Sequence, residues 1–507
     1  MTTQLSPPRH AQTSFVARHR LWTDEQAAAA EEVRRTVEAH DLEVVRVSFP
    51  DLHGRPRGKA LMVRRFLDAL DRGVEIGAAP LLLGGADERV FDSFGSDPAG
   101  LPQLRGSANI VMVPDPTTFR VLPWAPRTGW VIADCYFTDG SPCPLATRFV
   151  MRRALDALRA AGYEHHAGLE VECYIFRLED AKLRPGELGE GPGKPADPPA
   201  VSALAHGFTY LSENQLDEVD DLLRILRGHL TDLGLPLRSI DDEWGPGQLE
   251  FVFEPLAGLA GADAMFLFRT ALKQACRRLG YLASFMCKPA IPACYASGWH
   301  LHQSLSDLDR GENVFPPRDA AEVLSATGRA FVGGLLEHAA AASVFTTPTV
   351  NGYKRRKAFS LAPDRVTWGV DHRGAMVRVW GASDARSCHV ENRSGEPAAN
   401  PYLYMGSQIL AGLDGIRRDL DPGPPSDAPY ADTRGAVLPA SLAAALDELE
   451  ADGFFRAELG DTVVDYLLAM KRSEVARSLE AIGGEAEAAA QAEIVTEWEQ
   501  REYFERL

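Results

Sequence analysis

His300 and His302 alternate in the stretch YASGWHLHQS (295–304), so on a strand both imidazoles would point to one face. A histidine pair near a glycine is commonly structural, and its meaning rests on its company. Upstream, GLEVECYIF (168–176) sets Glu170 and Glu172 two apart in an otherwise apolar segment. Their carboxylates would share a side and be enclosed, and two enclosed carboxylates repel unless a cation lies between them. In DEWGPGQLE (242–250) a Gly-Pro-Gly turn can return the chain so that Glu243 and Glu250 approach across two strands. Four carboxylates and a histidine suit a hard divalent cation such as Mg²⁺ or Mn²⁺ rather than structural zinc.

Downstream lie NGYKR (351–355), Asp371-His-Arg373, Arg378 and Glu391-Asn-Arg393. Arg373 and Arg378 bracket apolar residues, and Glu391 with Arg393 repeats the two-residue spacing. Arginines among apolar neighbours suit bidentate binding of carboxylate and phosphate. Carboxylate strands, a histidine pair and then an arginine segment form the order a nucleotide- and metal-dependent ligase needs.

Several elements must position these groups. Residues 1–22 are polar and read as a flexible N-terminus. A small domain over 23–135 is expected to hold a helix at 24–40, strands at 43–49 and 55–61, and further strands and turns to Trp124. Pro142 and Pro144 mark a boundary, and 140–507 reads as the larger domain. There the patterning predicts helices at 145–162, 215–233, 261–279, 320–342, 400–417 and 461–482, with 184–199, rich in Gly and Pro, as an exposed loop. Strands mixed with long helices give an α+β class.

At 507 residues, two domains are the natural division. A net charge of −18 argues against nucleic acid as a partner. No run approaches the ~18 apolar residues needed to cross a bilayer, and the first 20 residues lack the apolar core of a secretion signal. The seven cysteines are odd in number and scattered, which suits reduced, buried thiols and a cytoplasmic location.

From about residue 43 to the C-terminus these segments resemble the glutamine synthetase family. The resemblance is carried by GLEVECYIF, EWGPGQLE, the HLH pair, NGYKR, DHRGAMVRV and ENRSGEPAANPYL. It implies a β-grasp-like N-terminal domain, a C-terminal α/β catalytic domain, and two hexameric rings stacked into a dodecamer. Each active site would lie between one subunit's C-terminal domain and its neighbour's N-terminal domain. Carried over by motif, Glu172, Glu243 and Glu250 would hold one divalent metal, and Glu170, His300 and Glu391 the other. Arg355 and Arg393 would bind the glutamate carboxylates, with Ala296, Leu361 and Trp299 completing the substrate side. His302, Ser304, Arg373 and Arg378 would serve ATP, with Arg373 and Glu243 also in catalytic roles. The implied chemistry phosphorylates the γ-carboxylate of L-glutamate, and an amine then displaces the phosphate.

The departures choose the amine. Ammonia-using members carry a glutamate just before Ala-Pro after the N-x-Y-K-R segment, whereas Leu361 stands there in this chain. They also carry an acidic segment in the N-terminal domain where this chain has GAAPLLLG (77–84), and Tyr295 replaces a family Asn. An amine of pKa near 10 is only about 10⁻³ free base at pH 7, a deficit of roughly 4 kcal/mol that acidic residues normally offset. Without those acids the site favours an apolar or weakly basic amine, and an arylamine such as aniline is already neutral. The expected pocket is therefore apolar, with Leu361 in its wall beside Trp299 or a neighbour's residues 80–83. The resemblance accordingly points to the γ-glutamyl-amide branch, as in γ-glutamylanilide or γ-glutamylpolyamine synthetases. The alternatives are a polyamine or alkylamide synthetase, an ordinary glutamine synthetase, or a silent structural member. Tyr430 lies near where some relatives are adenylylated, but its local pattern differs and no modification is expected.

Overall fold

The computed structural model describes residues 14–319, 321–381 and 387–507. Two sheets organise the chain. The first contains β1 (Val44–Pro50), β2 (Pro56–Met62), β3 (Val74–Gly77), β4 (Asn109–Pro114), β5 (Arg120–Val121) and β6 (Thr128–Tyr136), in the order 2-1-6-4-3 with β5 beside β6. Its central β1–β6 pair is parallel and the other pairings are antiparallel, as a β-grasp arrangement requires. The alternating Val45, Val47 and Phe49 face the core with Phe66 and Leu70 of the helix Val63–Arg72. That helix stands where only strands and turns were expected. Its signal was present in the sequence and was missed: Val63, Phe66, Leu67 and Leu70 follow the i, i+3, i+4, i+7 spacing of one helical face.

The second sheet contains β7 (Tyr163–Asp180), β8 (Ala200–Ala203), β9 (Leu237–Asp242), β10 (Gln248–Ala257), β11 (Tyr281–Ser284), β12 (Trp299–Asp307), β13 (Trp368–Val370), β14 (Val377–Trp380) and β15 (His389–Gly395). Its order is 13-14-15-12-7-10-9, with β8 and β11 also on β7. One face is apolar: Leu169, Val171, Cys173, Phe251, Phe253, Trp299 and Leu301 are buried in the main core. Helices Leu259–Arg278 and Pro401–Arg418 contribute to that core. At one end Tyr174 and Phe176 pack with Tyr503 and Phe504 of the C-terminal segment.

Two expected helices are each broken. The predicted 215–233 helix is split at Val219, because Asp220 and Asp221 open a new first turn. The predicted 320–342 helix becomes Ala326–Glu337 and Ala339–Thr346; its expected start at Ala320 lies outside the described residues. The break is at His338, whose ring lies 3.9 Å from Phe454 and whose Nε2 is 2.8 Å from Asp414. The flexible N-terminus expected over 1–22 is corrected in its later part. Residues 1–13 lie outside the described residues, but Phe15–His19 is helical, with Ser14 as its cap and Val16 buried. All seven cysteines are buried and free. No helix among the described residues is long and apolar enough to cross a membrane.

Candidate active site

The polar face of the second sheet carries one continuous stripe of functional side chains. Residues directly opposite in antiparallel strands share a face, as do residues two apart in one strand. Glu250 of β10 pairs with Glu172 of β7, and Glu170 of β7 pairs with His300 of β12. His302 of β12 pairs with Glu391 of β15, and Glu391 pairs with Arg378 of β14. Arg393 follows on the same face. The alternation legible in the sequence is thus converted by register into a row across five strands.

Contacts bind the row together. His300 Nδ1 lies 2.5 Å from Glu170 Oε1, and His302 Nε2 lies 3.1 Å from Glu170 Oε2. Arg355 Nη2 donates to His300 Nε2 at 3.0 Å, which leaves the His300 proton on Nδ1, facing Glu170. Gly298 permits this approach, since a Cβ there would lie 2.6 Å from Arg355 and 2.8 Å from His300. Arg393 pairs with Glu391, and Arg378 reaches Glu391 at 3.4 Å while lying 3.7 Å over the Trp380 ring. Arg373, by contrast, is exposed at the rim, and its carbonyl accepts from Arg393 Nε at 3.0 Å.

The electrostatics divide the carboxylates into two sets. Glu172, Glu243 and Glu250 are pushed up to about 7, 8 and 11, by burial first and then chiefly by repulsion from neighbouring carboxylates. For Glu172, the nearby Arg355 partly offsets this. Burial also opposes ionisation of Glu170 and Glu391. Burial is the largest single influence, but His300 and His302 together overcome it for Glu170, and Arg393, His302 and His300 together for Glu391, so Glu170 is held well below its usual range and Glu391 at about 2. Burial lowers His300 to about 4.

Glu170, Glu250 and His300 bring ligand atoms within 4.8 Å of one another, as do Glu170, His302 and Glu391. These oxygen-rich sets, with repelling carboxylates beside them, fit hard divalent cations. His302, expected on the nucleotide side, therefore also stands within ligand reach. Next to the stripe is a cavity of about 620 Å³ bordered by Glu170, Arg238, His302, Ser304, Trp380 and His389. Ser304 follows His302 by two residues and shares its face.

Two expectations for the amine pocket are corrected. Trp299 belongs to the opposite face: it pairs with Val171, is fully buried, and meets Tyr404 edge-on at 4.8 Å. The parity that turns His300 and His302 toward the cleft turns Trp299 away. Leu81 and Leu82 are likewise buried within their own subunit, and the Leu81 carbonyl accepts from Tyr466 at 2.6 Å. They are unavailable to a neighbour; only Pro80 and Leu83 of that stretch are partly exposed. Leu361 is 49% exposed beside the site, and its carbonyl accepts from Arg393 at 3.4 Å. Ala296, partly exposed, sits between Tyr295 and Ser297. Tyr430 donates to the Ala362 carbonyl at 3.1 Å and packs against Phe359.

Sequence reasoning missed three residues. Gln248 Nε2 donates to Glu172 Oε2 and Ser297 Oγ, both at 3.0 Å, while its Oε1 accepts from the Gly245 amide at 2.9 Å. His389 Nε2 lies 2.9 Å from His302 Nδ1. Asp241 pairs with Glu250 across β9 and β10, extending the stripe. The only sequence signal for these was their place within or beside the motifs.

A sheet face of this kind, with two divalent-cation sets beside a cavity and arginines at one end, defines a phosphoryl-transferring enzyme with a metal-assisted centre. The chain belongs to the glutamine synthetase family: residues 144–488 match the glutamine synthetase catalytic domain. It is 48% identical over 499 residues to a gamma-glutamylanilide synthase of an Acinetobacter species, covering 97% of this chain and 99% of that one. It is also 33% identical over 487 residues to a gamma-glutamylethanolamide synthetase of Streptomyces coelicolor, covering 94% and 96%. A solved structure described as a GmaS/ADP complex superposes with a TM-score of 0.72 at 29% identity, covering 93% of this chain and 98% of that one. The protein is an ATP-dependent glutamate–amine ligase, and ligases of this family use ATP and divalent metals.

Proposed function

We propose that this ligase joins the γ-carboxylate of L-glutamate to an arylamine, with aniline as the type substrate. The single observation that carries the choice is Leu361, an uncharged residue half exposed beside Arg393 at the position where ammonia-using relatives place an acid. The similarity to a gamma-glutamylanilide synthase supports it.

In the proposed reaction the γ-carboxylate attacks the terminal phosphorus of ATP, giving γ-glutamyl phosphate and ADP. The amine nitrogen then attacks the acyl carbon, phosphate leaves, and one proton is lost from nitrogen. Divalent cations, Mg²⁺ or Mn²⁺, held by Glu172, Glu243 and Glu250 and by Glu170, His300 and Glu391, would neutralise charge on the transferring phosphoryl oxygens. Arg355 and Arg393 orient glutamate through its carboxylates. His302, Ser304 and Arg378 face the nucleotide, and exposed Arg373 is free to swing onto the departing phosphate. The flap at 356–361 offers no carboxylate to receive an ammonium ion, so the amine that enters already neutral is favoured.

The two sheets are read as two domains, 23–135 and 140–507. Arg148 joins Asp115 and Asp134 of the first to Asp263 of the second at 2.7–2.8 Å, and Asn400 donates to the carbonyls of Asp51 and Leu52. None of these residues belongs to the stripe, which leaves its open side for a neighbouring subunit in a dodecamer of two hexameric rings. Incubation with glutamate, ATP, Mg²⁺ and aniline should yield γ-glutamylanilide and ADP in equal amounts. ADP without the anilide would overturn the reading.

A further inference from the structure

A chain of four exposed rings borders the stripe on the side of β9 and β10. Phe208, Tyr210, Trp244 and Tyr295 are 63%, 44%, 39% and 47% exposed, although large aromatic side chains gain most from burial. Tyr210 and Trp244 stack with centroids 5.0 Å apart and planes 5° from parallel. Trp244 is tilted against Tyr295 at 6.3 Å, and Tyr295 meets Phe208 edge-on at 6.1 Å.

Three segments supply these rings, and the fold ties them together. The Phe208 amide donates to the Trp244 carbonyl at 2.9 Å and the Leu211 amide to the Asp242 carbonyl at 3.0 Å. Asp242 also accepts from Thr209 Oγ1 and the Ser212 amide, at 3.2 and 3.1 Å. Phe208 and Leu211 are held at φ +69° and +53°, a left-handed backbone that costs free energy for any residue with a Cβ. Gly245 lies so close to Tyr174 that a Cβ would stand 1.9 Å from its hydroxyl, and that hydroxyl donates to the Tyr295 carbonyl at 3.0 Å. One buried tyrosine thus packs on Gly245, the residue after Trp244, and holds the backbone of Tyr295. Strained loop residues holding a connected, exposed ring surface next to a reaction centre mark a ligand surface rather than a packing remnant.

The surface adjoins the chemistry directly. Glu243 immediately precedes Trp244, and Tyr210 stacks on Trp244, which puts both rings next to a carboxylate of the stripe. We infer that Phe208, Tyr210, Trp244 and Tyr295 form the shelf that receives the aryl ring of the amine, with its nitrogen directed past Glu243 toward the acyl carbon. This rests on the arylamine reading above and deepens it. Planar rings offered edge and face suit an aromatic partner by offset and edge-to-face stacking. Selectivity among neutral amines then resides in these rings, while the missing charge at Leu361 disfavours ammonium.

The test compares Trp244→Ala, Trp244→Phe and, on the rim, Tyr210→Leu in the full chain. ADP release gives kcat and KM for aniline, methylamine, glutamate and ATP, and light scattering gives particle size. Trp244→Ala and Tyr210→Leu should each raise the aniline KM about fivefold to tenfold, with Trp244→Phe restoring most of it. The KM values for glutamate and ATP should stay within about twofold of wild type, and methylamine should be affected less than aniline. An unchanged aniline KM in both soluble variants would overturn the inference while leaving the arylamine reading intact. So would an equal or greater loss for methylamine, which would make the rings a cation box. A change in particle size with an unchanged aniline KM would show that a second copy covers the rings, and would likewise overturn it. If the wild type uses no arylamine, the underlying reading fails first.

Discussion

Glu172 stands at the centre of the stripe, buried, paired with Glu250 and braced by the Gly298 amide and Gln248. Replacing it by Ala removes a donor where charge most needs one, and activity should fall by at least about 100-fold with the fold retained, as circular dichroism would check. Gln248→Leu keeps the Glu172 carboxylate but removes the amide that donates to it and fixes its orientation. The expected loss is about 10- to 100-fold, appearing mainly as a higher metal requirement in a Mg²⁺ or Mn²⁺ titration. Arg355→Lys keeps the charge and loses the planar fork that meets both His300 and the Arg393 carbonyl. The glutamate KM should rise about tenfold or more, and an unchanged value would remove Arg355 from the glutamate site. At this scale the sequence was most informative where one strand carried two functional residues, because a two-residue spacing fixes a shared face. It was silent on His389 beside His302 and on Asp241 beside Glu250, since those neighbours arise from register between distant strands. Trp299 shows the same parity rule applied to only half of a motif.

Among elements, the long helices 400–417 and 461–482 were legible in their pattern, and lie in the structure at Pro401–Arg418 and Asp461–Ile482. The breaks were not legible, because they depend on what packs against them. At His338 the helix stops where Asp414 and Asp452, both distant in sequence, face the ring from the helices Pro401–Arg418 and Gly453–Leu459, the latter at its cap. Burial lowers the His338 pKa but the two carboxylates outweigh it, and the net shift is upward. A raised folded-state pKa contributes stability below the unfolded value near 6.5, and the contribution is lost as pH rises through the folded value. His338→Gln should therefore lower the melting temperature clearly at pH 6 and little at pH 9. A loss of equal size at both would assign the effect to packing on Phe454 instead. At position 361, Leu361→Glu should lower kcat/KM for aniline relative to that for a protonated amine, because the new carboxylate attracts a cation and offers nothing to a neutral ring.

For the whole molecule, the class was legible because carboxylate strands, histidine pair and arginine segment occur in one order along the chain. The ring shelf was not, since Phe208, Tyr210, Trp244 and Tyr295 meet only through folding. In the proposed dodecamer a neighbour would complete the site, which would make particle size a functional quantity. Light scattering should give a mass near twelve times that of one chain, and dilution to monomers should abolish activity. The proposed loss of acid at Leu361 turns a glutamine synthetase scaffold from ammonium to a neutral aromatic amine. The decisive measurement is kcat/KM for aniline and for ammonium, read as glutamate-dependent ADP release with one preparation at pH 7. A larger kcat/KM is expected for aniline; a larger one for ammonium would overturn the proposed specificity.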